Sequence, residues 1–481
     1  MNAAQTPLLS NGQQTFSRAA LDAEVLALAK VLREQGTRVL ATLMDNSPAW
    51  VVADLAAAQA GLVHVPLPVF FTAQQIGHAL QAAGVDTVLG PAALAARWPG
   101  APTQACEVAG QALCLQRLPM SPVTLPAGTA KITFTSGTTG TPKGVCLDGA
   151  ALQAITQGLV QALAPLDIRR HLCALPLAVL LENVAGLMAP LAHGAECVVL
   201  PLQEVGLVGS SSFDPARLQA AVVRHQPHSM ILLPQMLRAW AAWLAHTGER
   251  APASLRMVAV GGASVGTPLV QAARAVGIPA YEGYGLSEGA SVQTLNLPWA
   301  DCPGSAGQPL PHARVRVNSE GEIEVAGSLF RGYLGDAAAP PSWWPTGDLG
   351  HIDADGFVHV RGRRKHVLIT AFGRNVSPEW VETALRGEPA VAQAVVFGEA
   401  QPALSAVLWP TRADVPDSAL AAAVERANAT LPDYAQVHHW VRASAPFTAE
   451  AGMSTANGRP QREAVYHLHA DALAAPALGI H

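Results

Sequence analysis

From Phe16 to Trp98, helix-like stretches such as RAALDAEVLALAKVLREQG, with apolar residues at helical spacing, alternate with strand-like runs, TRVLATLMD and LVHVPLP. That order predicts a layered α/β domain. Asn46-Ser47-Pro48 follows the first of these strands and is placed to cap the helix carrying Trp50 and Asp54, because asparagine and serine side chains accept orphan amide protons. From Gly128 to Leu295 the rhythm repeats, with candidate strands KITFTS, ECVVLPL, SMILLP and RMVAVGG, and this portion is predicted to hold the largest sheet.

From Pro303 to about Arg363 the pattern changes to short alternating runs, ARVRVNSEGEIEVAG and GHIDADGFVHVRG, broken at Glu320-Gly321 and Asp355-Gly356. It predicts a small antiparallel β subdomain. Beyond RGRRKH come VLITAFGRNVS, the helix PEWVETAL, the strand AVAQAVVFG and a helix through Ala419 to Ala429. The predicted boundary lies near Arg364 to His366 and divides residues 1–363 from a small α+β domain at 364–481.

Half of the 481 residues are hydrophobic and 14% are charged, enough apolar material for two or three domains with buried sheets and too much for a disordered chain. A net charge of -5 without a lysine and arginine stripe argues against nucleic acid as a partner. The most membrane-like stretch, Leu172 to Leu191, contains Glu182, Asn183 and two prolines, and reads as buried core rather than a transmembrane span. The opening residues lack the pattern of a signal or transit peptide, so a cytoplasmic location is expected, with the six cysteines as reduced core thiols.

Chemistry concentrates in Thr135-Ser136-Gly137-Thr138-Thr139-Gly140-Thr141-Pro142-Lys143-Gly144, which follows an apolar strand. Glycines let backbone amides turn toward an anion, hydroxyls donate to phosphate oxygens, and the lysine adds a mobile positive charge, so a polyphosphate is the natural guest. The segment fails the ordinary P-loop pattern, because Gly144 follows Lys143 where a serine or threonine is required.

These residues resemble the signature of the acyl-adenylating superfamily, which includes acyl-CoA synthetases, peptide-synthetase adenylation domains and luciferases. The resemblance runs from about Phe16 to about Val465, and its nearest branch is the long-chain fatty acyl-CoA synthetases. It implies a large N-terminal domain followed by a small mobile C-terminal domain. It also implies that Gly262, with Gly261, lines the adenine and acyl pockets, joined by Gly285 and Val179 on the acyl side. Tyr284 would stack on adenine, Ser287 would meet phosphate, and Glu288 would hold the Mg2+ that accompanies ATP, a hard cation preferring oxygen ligands. Asp348 of Thr346-Gly347-Asp348 and Arg363 would bind the ribose hydroxyls. Lys365 and His366 would form the hinge. Taken alone, the Gly-Gly-Ala and Thr-Gly-Asp segments are equally ordinary turns.

The chain departs from the family at three places. Arg459 stands where the family has its adenylating lysine; arginine keeps the charge but carries a bulkier, planar head. Ala178 and Val179 replace the Ser-His pair of the fatty-acyl branch, and His366 replaces an acidic residue or lysine at the hinge. The expected reaction is ATP-dependent activation of a fatty or other aliphatic acid to an acyl-adenylate, then transfer to a thiol, with Lys143, Glu288 and Arg459 as catalytic residues. Coenzyme A is the first choice of thiol, and the phosphopantetheine arm of an acyl carrier protein stays open. So do a catalytically weakened adenylate-binding protein, an adenylate-forming enzyme with another product, and peripheral contact with a membrane.

Overall fold

The computed structural model describes residues 6–135, 142–208, 212–336, 339–371, 375–455 and 458–474. Local chemistry sets its elements. Ser47 caps the helix Pro48–Ala60 by accepting from the Trp50 amide, Pro48 occupies its first turn, and Gly61 ends it in the left-handed region. Asn46 does a different job from the predicted cap: its side chain donates to Leu175 O and accepts from Leu177 N, tying two layers together.

Two large sheets form the body of residues 6–309, and Gly332–Tyr333 adds an edge strand to one of them beside Lys143–Asp148. In the nine-stranded sheet, Arg170–Cys173, Glu196–Val199, Ser229–Leu232, Met257–Val260 and Ala280–Leu286 run parallel, as buried hydrophobic strands joined by helices do. The strand Pro7–Ser10, which periodicity did not predict, extends it beside Glu196–Val199. The predicted strand KITFTS forms as Thr129–Thr135 but joins the other, eight-stranded sheet, beside Val63–Pro66 and Lys143–Asp148. Strand periodicity says which face is buried and not which sheet receives it.

A buried polar network joins these layers. Asp54 accepts from Lys131 Nζ at 2.7 Å and lies 2.6 Å from His64 Nδ1, while Asn183 meets both Asp54 and Lys131. Leu172 to Leu191 is mostly buried, ending in a π-helical turn Glu182–Met188 and a short helix Ala189–His193. No helix among the described residues is long and apolar enough to cross a membrane.

The predicted antiparallel subdomain is a four-stranded sheet in which Ala313–Val317, Glu322–Gly327, Trp344–Ile352 and Val358–Arg363 pair in succession. Beyond it, Val391–Phe397, Leu404–Pro410 and Val437–Arg442 form a three-stranded sheet packed against the helices Pro378–Arg386 and Asp417–Asn428.

Candidate active site

One cleft of about 2680 Å³ runs between the body and the last 115 or so residues. Every described site residue named from the sequence lines it: Thr135, Lys143, Val179, Gly262, Tyr284, Gly285, Ser287, Glu288, Asp348, Arg363, Lys365, His366 and Arg459. Ser136, Gly137, Thr138, Thr139 and Gly140 lie outside the described residues. The loop's two flanks are in place, because antiparallel pairing sets Thr135 opposite Lys143. Lys143 Nζ stands 5.3 Å from the centre of the Tyr333 ring.

The Thr346-Gly347-Asp348 turn is held from several sides. Thr346 Oγ1 accepts from the Asp348 amide at 3.1 Å, and buried Glu322 accepts from the Gly347 amide at 2.8 Å. Asp348 is 5% exposed and receives Tyr284 OH on one oxygen at 2.6 Å and Arg363 Nε on the other at 2.8 Å. Burial raises its pKa, against the opposing Arg363 charge. Burial, then the Asp348 charge, push the Tyr284 phenol well above its ordinary range, so it remains a donor. Each Asp348 oxygen keeps acceptor capacity beyond these bonds.

Glu288 lies in a single 3-10 turn, Ser287–Gly289, between two strands. Its Oε1 accepts from Tyr333 OH at 2.7 Å, and its carbonyl accepts from the Phe330 amide at 2.8 Å. Gly285 occupies a register shift between Ala280–Leu286 and Ser291–Leu295. A Cβ there would collide with the Ser291 backbone, so strand packing demands glycine at this position.

Arg459 comes from the far side. Its Nε donates to Gly262 O at 2.9 Å, where the left-handed φ of Gly262, +85°, turns the chain at the end of Met257–Val260. Its side chain faces the open cleft, and enclosure by the cleft walls, then the Arg363 charge, lower its pKa. The Lys365 pKa is lowered by burial and by the charges of Arg363, Lys143 and Arg459 around it, with Glu379 opposing. His366 Nδ1 sits 2.5 Å from Glu379 Oε1, and Arg462 bridges Glu379 and Glu382.

Tyr333, Glu322 and Glu379 were not singled out in the sequence. Tyr333 lies in a two-residue strand and Glu322 in an ordinary hairpin, with no local pattern to mark either. Glu379 lies in the helix Pro378–Arg386, which was read from the sequence as a helix only.

A cleft lined by the two flanks of a glycine-rich segment, Thr135 and Lys143, by a carboxylate on a 3-10 turn and by a late arginine points to a nucleotide-handling enzyme. Residues 2–334 match the AMP-binding enzyme family and residues 365–475 match the AMP-binding enzyme C-terminal domain, and the chain belongs to this family. It is similar to a feruloyl-CoA synthase of Amycolatopsis sp, 30% identical over 430 residues that cover 82% of each chain. A long-chain-fatty-acid–CoA ligase of Mycobacterium bovis is 39% identical over 163 residues, 32% of this chain and only 26% of that relative's length. In fold it is similar to the O-succinylbenzoate coenzyme A synthetase of Bacillus subtilis in complex with AMP, with a TM-score of 0.75, 24% identity and 96% of both chains covered.

Proposed function

We propose that this chain activates a carboxylic acid with ATP, forming an acyl-adenylate and pyrophosphate, and then passes the acyl group to the thiol of coenzyme A. The reach of Arg459 to Gly262 carries the reading, because it brings a cation from residues 364–481 to the end of the strand that the resemblance assigns to the acyl and adenine pockets. Residues 1–363 and 364–481 act as two domains about Lys365 and His366.

In this reading Asp348 accepts the ribose hydroxyls, Tyr284 presents its ring to adenine, and Thr135, Lys143 and Ser287 face the phosphates. The carboxylate attacks the α-phosphate, and Arg459 offers its N–H groups to both reacting oxyanions as pyrophosphate leaves. Glu288 has the oxygen chemistry for a hard cation and would hold Mg2+, which supplies charge neutralisation of the phosphates. The thiolate then attacks the acyl carbon and AMP leaves.

Apolar lining of the cleft supports a choice of substrate class. Leu159, Val160, Leu163, Leu181, Ala185 and Met257 line the cleft, as does Val179. Such a lining suits a long aliphatic acyl chain, or an aromatic acid of the kind named for the feruloyl-CoA synthase. Pyrophosphate release from MgATP is the test, with straight-chain, hydroxylated and aromatic acids, each with and without coenzyme A. Acid-dependent release with a matching acyl-CoA is expected. Release without acyl-CoA would replace coenzyme A by a carrier protein, and ATP binding without release would overturn the catalytic reading.

A further inference from the structure

The side chain of Glu182 is fully buried, and neither carboxylate oxygen has a hydrogen-bond partner among the described residues. A buried acid so placed calls for a cation or a bound polar group. The polar groups around it are His171, the Cys173 thiol and the Ala174 amide, none meeting it in hydrogen-bonding geometry. His171 Nε2 lies 3.6 Å from Glu182 Oε1 and is itself without a partner. The other ring nitrogen, Nδ1, is 2.8 Å from Ser229 Oγ. With Nδ1 donating to that hydroxyl, Nε2 turns its lone pair toward Glu182, as in imidazoles oriented for metal ligation.

One donor atom each from His171, Cys173 and Glu182 lie within 4.8 Å of one another. Zinc bonds of about 2.0–2.3 Å set tetrahedral donors roughly 3.3–3.8 Å apart, so closure needs a contraction on the order of 1 Å. A further thiol, Cys197, lies outside that three-residue group but on the neighbouring strand. Parallel pairing places Cys197 and Ser229 on either side of His171, in one row, with Cys173 two residues along on the same face. The cover is the π-helical turn Glu182–Met188, a rare geometry that recurs at functional sites. Both thiols already point at this turn: Cys173 donates to Gly186 O at 3.5 Å and Cys197 to Leu187 O at 3.9 Å. Gly186 leaves the space open, since a Cβ there would stand 3.0 Å from His171 Nε2.

We propose that His171, Cys173, Cys197 and Glu182 form a buried site for one zinc-class divalent cation that fastens the π-helical turn to the parallel sheet. Two sulfurs, an imidazole and a carboxylate are a tetrahedral set for that class of ion. Binding releases the two thiol protons and breaks the thiols' carbonyl contacts. Leu181 and Ala185, in and beside the turn, line the cleft, so the ion stiffens its apolar wall. The proposal does not depend on the reaction assigned above.

The test uses the full chain, unfolded, stripped with chelator and refolded with Co2+. One equivalent bound, a sulfur-to-cobalt charge-transfer band and strong tetrahedral ligand-field bands are expected, all displaced by Zn2+. Affinity falls at least about tenfold in Glu182→Gln and the band weakens in Cys173→Ala. A separate group, Cys302, Asp353 and His359, also brings three donors together, and Cys302→Ala is expected to leave the spectrum unchanged. A refolded wild type with no charge-transfer band overturns the site, as does a band lost in Cys302→Ala. Glu182→Gln, which preserves shape, decides the matter if Cys173→Ala fails to fold.

Discussion

Arg459 Nε donates to the carbonyl of Gly262 at 2.9 Å, joining a loop near the chain's end to the end of a strand 197 positions earlier. The fork is thereby aimed before any ligand arrives, with its remaining N–H groups facing the cleft. Arg459→Ala is expected to slow acid-dependent pyrophosphate release about 10- to 1000-fold, on the order of 1.4–4 kcal/mol. Arg459→Lys keeps the charge and is expected to retain part of the rate. Steady-state pyrophosphate assays decide it, and unchanged release in Arg459→Ala would remove this residue from the mechanism.

Asp348 is shared between Tyr284 and Arg363, and this predicts how each partner's loss is felt. Tyr284→Phe removes one neutral donor and leaves the carboxylate paired, so ATP affinity is expected to fall only about 3- to 10-fold, roughly 0.6–1.4 kcal/mol. Asp348→Ala leaves Arg363 without its anion beside Lys365 and Arg459, and a loss well beyond tenfold is expected. Calorimetric titration with ATP compares the two, and equal losses would contradict the sharing.

Much of this was legible in the sequence because it is local. The strands Ser229–Leu232 and Met257–Val260 are continuous β-rich runs, and the hairpin of Ala313–Val317 with Glu322–Gly327 announces its turn. The candidate site was legible as family motifs, which is why the described members all meet in one cleft. What stayed hidden depends on long-range pairing. No periodicity predicts that Pro7–Ser10 lies beside Glu196–Val199, or that Asn46 bonds the chain near Leu175. Gly285 was assigned to the acyl pocket by resemblance alone, and no local pattern announced that its neighbour across the strand is the Ser291 backbone.

The His366–Glu379 pair predicts a pH-dependent contribution to stability. Burial pushes Glu379 up, but the hydrogen bond with His366 and the charge of Arg462 outweigh it and hold the carboxyl at about 2, below its ordinary 4.5. A depressed acid contributes stability that is present above 4.5 and is lost as pH falls toward 2. Glu379→Gln is therefore expected to cost about 1–3 kcal/mol at pH 7, a deficit that shrinks by about 1 kcal/mol by pH 4. Urea unfolding of both proteins across this range measures it, and a deficit independent of pH would assign Glu379 a packing role alone.

Lys131 sits on the strand that leads into the hydroxyl-rich loop, yet its ammonium faces inward, 2.7 Å from Asp54. The lysine is 5% exposed, and its charge, with His64, holds the Asp54 carboxyl well below the usual range despite burial. A buried pair gains little over an apolar substitute, but removing one partner strands the other charge. Lys131→Met is thus expected to cost about 3–5 kcal/mol in denaturant unfolding, because Asp54 is left with only His64 and Asn183. Adding Asp54→Asn should recover part of that loss, giving a double-mutant coupling of at least about 1 kcal/mol. Should Lys131→Met unfold like the wild type while ATP turnover collapses, the lysine would belong to the chemistry of the loop that follows it and not to the joint between its sheet, the helix Pro48–Ala60 and the π-helical turn.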